Sequence, residues 1–412
     1  MKILFMSARG NGLGVAERIR REGHDVLVYV HDESALLAGD GYLHKVASWR
    51  SQLADCGLVI CDEPGFGFRA SDLRGNGRPV LGCDMLADRV EFEPQKQIEL
   101  FEACDVEYPN TSFWFSDDRR VLPEHRECVA KVYREGASHV LHTIRSPREW
   151  EWLLSSVNGS AMVVSQDITP GVECNVVGLW NGRSLLEPSF VTFDYRHAAD
   201  GDLGPVTDCT GLVMRATGNE GKLVKATLGK FVAFFKQLSY RGMVTVRCRI
   251  DATELRVIGL RIGFSHDALD ALGAALHEDN LGDVLYDCAI GMRRELKTTR
   301  DYVACVRLFL PPWPYSEPQR EMRGLPLGGI DEKTLPWVNL CDVYKLSGGP
   351  AFAAGTGVVA KVLAHGRSVA EARSRVYRTL QNVVIAGGQY RTDIGEHTSE
   401  QYDELKANGW VV

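Results

Sequence analysis

The sequence predicts an α/β chain that opens on a parallel sheet and continues as β-hairpins. Two observations carry this. Short apolar runs at residues 2–5, 26–30, 58–61 and 79–82 alternate with helical patterns and glycine turns, as strands joined by crossover helices do. Further on, Asn181-Gly182 separates β-rich runs at 173–180 and 185–193. Asp251-Ala252-Thr253-Glu254 likewise separates 243–250 from 255–262. Turn residues between such runs are hairpin signals.

Composition bounds the rest. The 412 residues hold 47 Lys+Arg against 54 Asp+Glu, a net charge of −7, which argues against a protein that holds nucleic acid by bulk charge. Hydrophobic residues at 45% and charged residues at 25% are ordinary globular values, and the length suits two to four domains. No apolar run nears the ~20 residues that span a bilayer, and the start, Met1-Lys2-Ile3-Leu4-Phe5-Met6, is too short for a signal-peptide core. The eleven cysteines contain no Cys-x-x-Cys, so the expectation is reduced thiols in a cytoplasm, without zinc.

The elements follow in order. Ser7-Ala8-Arg9-Gly10-Asn11-Gly12-Leu13-Gly14 links the first strand to a helix pattern ending at Gly23. Such a run can turn backbone N–H groups toward an anion, or simply turn the chain. Residues 95–104 read as a helix with Ile98 and Phe101 on its apolar face, stopped by Glu107-Tyr108-Pro109-Asn110-Thr111. Short strands are expected at 128–132 and 161–165. One long amphipathic helix is expected at 222–238, from Leu223, Leu228, Phe231, Val232 and Phe235. Pro311-Pro312-Trp313-Pro314 breaks the chain before a β-rich stretch, with Trp313 expected to pack at a junction. A helix over 369–383 then carries Ser368 as N-cap and Glu371 three residues on. Residues 396–412 read as a polar tail. His197, His266 and His277 show no metal-like spacing and read as ordinary histidines.

The C-terminal third carries a resemblance. Gly355-Thr356-Gly357, the β-run 358–363, Ser368-Val369-Ala370-Glu371-Ala372-Arg373 and Gln389-Tyr390-Arg391-Thr392-Asp393-Ile394-Gly395 resemble the end of the phosphoribosylamine–glycine ligase (glycinamide ribonucleotide synthetase) family, ATP-grasp enzymes of purine biosynthesis. Gly204-Pro205-Val206-Thr207-Asp208-Cys209-Thr210-Gly211 resembles that family's Gly-Pro-Asn-Thr-Gly-Gly-Met-Gly loop, after Asp194 and Arg196. Tyr240-Arg241-Gly242, Arg261-Ile262-Gly263 and Arg323-Gly324-Leu325-Pro326 fit further elements, and Asp62-Glu63-Pro64 sits where the family has a Pro-Glu pair. The resemblance spans roughly residues 1–395. It implies an ATP-grasp fold with a Rossmann-like N-terminal domain at 1–92, a grasp domain at 93–305, a β-rich closing domain at 306–395 and a tail at 396–412.

It also implies a reaction: ATP phosphorylates a carboxylate, and an amine displaces the phosphate to give an amide. Carried over residue by residue, ATP would be held by Lys131, Gly136, Ser138, Gln166, Ile168 and Glu173, with Lys131 on phosphate and Glu173 at the ribose. Arg261 and Lys131 would be catalytic, Arg261 stabilising the acyl phosphate. Substrate would meet Gly10, Gly12, Glu63, Asp194, Arg196, Gly204, Pro205, Thr207 and Gly211. The chain departs from the family in three places. Its loop at 132–138 has one glycine, and its N-terminal loop lacks the family's Arg-Glu-His. The two magnesium-ligand positions are Val257 and Gly259, neither of which coordinates a metal. Arg247, Arg249, Arg256 and Arg261 crowd that hairpin instead, and a guanidinium about 4 Å from Mg²⁺ would repel it by ~8 kcal/mol at an effective dielectric of 20. Strand alternation places Val257, Gly259 and Arg261 on one face. The expectation is therefore no metal, and a carboxylate–amine ligase on changed small-molecule substrates, with neither nucleic acid nor membrane as partner. The alternative is a degenerate relative that binds ligand or acts as a scaffold without ligating.

Overall fold

The computed structural model describes residues 1–116, 127–133, 140–157, 161–292, 295–299, 301–316 and 318–411. The chain begins with β1 (Lys2–Ser7), α1 (Leu13–Arg21), β2 (Asp25–Val30), β3 (His44–Lys45), β4 (Leu58–Cys61), α2 (Gly67–Gly75) and β5 (Val80–Leu81). These strands form one parallel sheet in the order β3-β2-β1-β4-β5. Alternation along β1 sends Ile3 and Phe5 into one core and Leu4 and Met6 into another. A strand buried on both faces must be apolar throughout, which is why these runs were legible.

Helices α3 (Met85–Phe92) and α4 (Pro94–Ala103) lead to a second, antiparallel sheet. It contains β6 (Thr111–Phe115), β7 (Cys128–Tyr133), β8 (Val140–Ile144) and, after α5 (Pro147–Ser156), β9 (Met162–Asp167), ordered β6-β9-β7-β8. Ser146 and Glu149 close a reciprocal cap at the start of α5.

The third sheet is the spine. Its first strands are β10 (Val172–Trp180), β11 (Ser189–Ala199) and β12 (Leu203–Thr217), followed by α6 (Lys222–Ala226) and α7 (Leu228–Phe235). Then come the hairpin β13 (Gly242–Ile250) and β14 (Leu255–Ile262), α8 (His266–Ala275), α9 (Leu281–Ala289), β15 (Tyr302–Phe309) and β16 (Val338–Leu340). A small hairpin, β17 (Val343–Leu346) and β18 (Gly349–Phe352), precedes β19 (Val358–Gly366), α10 (Val369–Leu380) and α11 (Thr398–Ala407). The order in this sheet is β14-β13-β10-β11-β12-β15-β19-β16. Both expected hairpins are present in antiparallel register. The expected division at 305/306 falls inside β15, which pairs with β12 on one side and β19 on the other, so one continuous sheet joins the two segments.

Three expectations are corrected. The helix at 222–238 is two helices, broken at Thr227 (φ −115°, ψ −97°). The Thr227 hydroxyl donates to the Leu223 carbonyl at 2.7 Å, a back-bond that competes with the helical ladder. The stretch 204–211 is no free loop but the first half of β12, paired to β11 through irregular register. Residues 396–412 are no loose tail either. Tyr402 and Leu405, one turn apart on α11, join Trp410 and Val411 in the core beside Phe231 and Phe235. The Trp410 carbonyl accepts from Leu223 N–H at 3.2 Å. The apolar residues of this polar segment are too sparse to show a periodicity.

Candidate functional site

The eight-stranded sheet is apolar on the face covered by α7 and α11. Its other face is apolar under α8 and α9, then turns polar toward the four-stranded sheet. In that polar stripe Glu173 pairs in register with Arg249, and Asn175 with Arg247 on one side and Thr192 on the other. Asn175 donates to the Thr192 hydroxyl at 3.2 Å, and that hydroxyl donates to Asp194 at 2.6 Å. Burial raises the Asp194 carboxyl to about 6.

Lys131 faces this stripe from β7. It is buried, and its ammonium donates to the Ile258 carbonyl of β14 at 3.4 Å, spanning the two sheets. Burial lowers its pKa to about 8, helped by the positive Arg196 and opposed by Glu173. Gln166 is buried on β9, and Ile168 lies half-exposed just beyond it. Glu173 is held by Arg249 at 2.7 and 3.1 Å, and Arg249 also donates to the Thr169 carbonyl at 2.9 Å. Gly136 and Ser138 lie outside the described residues.

The β13/β14 hairpin departs from simple alternation. Arg247 opposes Gly259 while Cys248 opposes Val257, a β-bulge that leaves Ile258 extra. The bulge turns Val257 into the core with Leu260 and Ile262, so Val257 does not share the face of Gly259 and Arg261. A β-carbon on Gly259 would lie 3.8 Å from the Arg247 guanidinium. A core valine, a missing side chain and an overlying guanidinium do not fit a magnesium ion, which needs oxygen ligands. Among the described residues no three His, Cys, Asp or Glu side chains are placed to share a metal. The Nε–H groups of Arg247 and Arg261 are buried and have no hydrogen-bond partner among the described residues.

A second bulge shapes β12. Tyr195 opposes Gly211 and His197 opposes Val206, so residues 207–210 swell out of the ladder and aim Asp208 at β15. There Arg307 receives it in a fork, with both contacts at 2.9 Å, and also donates to Asp267 at 2.8 Å. Arg307, Lys361 and Asn339 are cross-strand neighbours on β15, β19 and β16. Asp267 and Asp270, three apart on α8, lie over that row, and Lys361 bonds Asp270 at 2.7 Å. Arg307 and its neighbours hold Asp208 well below the usual carboxylate range. Around this bulge, Arg196 Nε donates to the Asp208 carbonyl at 3.4 Å, and the Thr207 hydroxyl to the Arg196 carbonyl at 2.7 Å. Gly204 turns with φ +76° and Pro205 is half-buried beside it. Gly211 is held against the Cys305 carbonyl, which a β-carbon would meet at 2.7 Å.

The glycine loop after β1 is already occupied. Gly12 N–H and the Ser7 hydroxyl donate to Asp62 at 3.0 and 2.7 Å, while Arg9 N–H and the Asn11 amide donate to Glu63 at 2.6 and 2.5 Å. Gly10 N–H donates to the Ser7 hydroxyl at 2.9 Å. Burial raises Asp62 to about 7 and also raises Glu63. His266, read from sequence as ordinary, stands 3.7 Å from Asp62 at the start of α8 and lines a small cavity with Asn11, Asp208, Arg307 and Lys361. Burial lowers its pKa to about 4, with Lys361 adding to the effect. Nothing in its spacing could have revealed it, because its partners come from β4, β12 and β15.

No family model matches the chain. It is similar to the phosphoribosylamine–glycine ligase of Streptomyces coelicolor, 26% identical over 249 residues that cover 58% of each chain. The chain thus spans about 58% of the length of the curated relatives it matches. Among solved structures, the phosphoribosylamine–glycine ligase of Thermotoga maritima superimposes with a TM-score of 0.71 at 17% identity, covering 96% of this chain and 100% of that one. An L-amino acid ligase from Bacillus licheniformis gives 0.61 at 13%, covering 93% and 98%. The resemblance read from the sequence is borne out, and the fold is the ATP-grasp fold.

Proposed function

We propose that the chain is an ATP-dependent ligase joining a carboxylate to an amine, on substrates other than glycine and phosphoribosylamine. In this reading guanidinium groups of β13 and β14 bind the phosphates directly. One observation carries it: the buried Nε–H groups of Arg247 and Arg261 lack partners among the described residues, on the hairpin that Lys131 reaches from the opposite sheet. Each unmade buried hydrogen bond costs about 1–3 kcal/mol, a cost that an anionic ligand removes. ATP supplies the phosphoryl group that activates the carboxylate. Bringing two anions together requires nearby positive charge, which Arg261 and Lys131 provide here. Gln166 and the backbone near Ile168 take the adenine in this reading, while Asp194 and the β12 bulge border the acceptor.

Titrating the chain with ATP in chelator, and again with Mg²⁺, tests the reading. ATP binds without metal, and the Arg247→Gln/Arg261→Gln pair weakens it about tenfold or more. Binding that requires Mg²⁺, or none at millimolar ATP, overturns it. A second reading, ligand binding without ligation, is favoured by Glu173, which Arg249 already holds. ATP binding with no ADP release across the standard amino acids would support that second reading.

A further inference from the structure

We infer that the chain binds a phosphomonoester at a second place, the seam where α2 of the parallel-sheet unit meets the start of β13. An open cavity of about 390 Å³ lies there, with Arg74, Arg241, Ser71, Ser239 and Leu238 in its wall. That space falls within the ~300–1,000 Å³ of small-ligand sites. Arg74 comes from α2, and Arg241 stands one residue before β13. The Arg241 carbonyl accepts from Gly82 N–H at 2.7 Å, which ties the edge of the parallel sheet to the spine. At ~3.3 Å per residue the chain rises about 20 Å from Arg241 to Arg247. The cavity is therefore separate from the hairpin arginines of the ligase reading and does not rest on that reading.

The wall fits an anion. Arg74 Nε donates to the Val80 carbonyl at 3.2 Å and its Nη2 to the Gly82 carbonyl, while Arg241 Nη1 donates to the Ala289 carbonyl. Neutral carbonyls fix both guanidinium groups without neutralising either. Arg74 Nη1 is buried and has no hydrogen-bond partner among the described residues, and burial pulls the Arg74 pKa below its usual value. Among the described residues no carboxylate lines the cavity. Asp84, which acts on Arg74 electrostatically, is itself buried. Its oxygens are taken by Leu86 and Ala87 N–H and by the Ser71 and Ser239 hydroxyls. Each serine thus spends its proton on Asp84 and keeps a lone pair for a donor on the ligand. Two guanidinium groups suit a doubly charged phosphate, and buried Leu238 with the remaining space suits its organic part. Glycines leave the mouth clear: a β-carbon on Gly182 would meet Arg241 Nε at 2.9 Å, and one on Gly75 would meet nothing within 4 Å.

Calorimetric titration of the full chain without metal tests the site, with phenyl phosphate, inorganic phosphate and benzoate as probes. The chain carries Arg247→Gln/Arg261→Gln, so that the hairpin arginines do not take the probe. Phenyl phosphate binds about threefold or more tighter than inorganic phosphate, and singly charged benzoate binds more weakly than phenyl phosphate. Arg241→Gln weakens phenyl phosphate about tenfold or more. Gly75→Asp adds a carboxylate at an open position and weakens it about fivefold; if Arg241→Gln fails to fold, Gly75→Asp carries the test alone. No binding of phenyl phosphate, inorganic phosphate or benzoate bound as tightly, or an affinity unchanged by the substitutions overturns the inference. Metal-free ATP binding by the parent chain decides the ligase reading separately, so the two failures are told apart.

Discussion

Arginines occupy two places on one face of the same sheet, and only at one of them is the guanidinium matched by carboxylates among the described residues. Arg307 on β15 is buried and held on three sides by Asp208 and Asp267, beside the Lys361–Asp270 pair. Arg247 and Arg261, on β13 and β14, keep buried donors that meet nothing among the described residues. A buried cation with matched carboxylates belongs to the framework. A half-buried guanidinium whose inner N–H is unmatched among the described residues gains a hydrogen bond when an anion arrives.

Arg307→Met strands the buried Asp267 and costs about 3–5 kcal/mol, as breaking a buried pair does. Arg247→Met removes an unsatisfied donor and changes stability by no more than about 1 kcal/mol, in either direction. Urea unfolding of both variants decides the matter. Equal losses would mean that the hairpin arginines are framework too.

Folded Asp62 holds its proton to about pH 7, whereas the unfolded carboxyl releases it near 4. The native state therefore binds more protons in that window, and this group's contribution falls as pH rises from about 4 to about 7. His266 works in the opposite sense. Its folded pKa of about 4 lies below the unfolded value of about 6.5, so its contribution rises over that interval. The two nearly cancel in the parent chain. His266→Gln leaves the falling limb and Asp62→Asn the rising one, each at most about 1.4 kcal/mol per pH unit. Urea midpoints at about pH 4.5 and 6.5 should move in opposite directions for the two variants. Movement in the same direction would show that neither group titrates as its burial dictates.

The sequence was legible where structure is local. Continuous apolar runs located β1, β2 and β4, and turn chemistry located both long hairpins, because each depends on residues within a few positions of one another. The apolar residues of α11 were too sparse to register, although tertiary packing buries them. The two β-bulges were invisible for a different reason. Each extra residue, Ile258 on β14 and 207–210 on β12, exists only relative to a partner strand. That is why alternation placed Val257 on the ligand face when it lies in the core. Lys131, Glu173 and Arg261 were singled out by position in a motif; Lys131 reaches the Ile258 carbonyl of β14, and Glu173 is taken by Arg249. The pairing of Glu173 with Arg249, the capping of the glycine loop and the placing of His266 near Asp62 arise between distant elements.

Glu173 stands between the two kinds of arginine, paired with Arg249 and in the strand beside Arg247. Its ion pair with Arg249 is one-third exposed on both sides, and such pairs contribute about 0–1 kcal/mol. Glu173→Gln should therefore leave the unfolding midpoint nearly unchanged, while Arg249 keeps its bond to the Thr169 carbonyl at 2.9 Å. The informative measurement is binding of ATP beside binding of inorganic triphosphate, both without metal. If Glu173 serves only to occupy Arg249, the variant frees a guanidinium and tightens both ligands about equally, by roughly two- to threefold. If it accepts from the ribose hydroxyls, ATP alone is weakened while triphosphate is not. An unchanged affinity for both would mean that Arg249 never faces the phosphates, and the unpaired group of the opening comparison would be confined to Arg247 and Arg261.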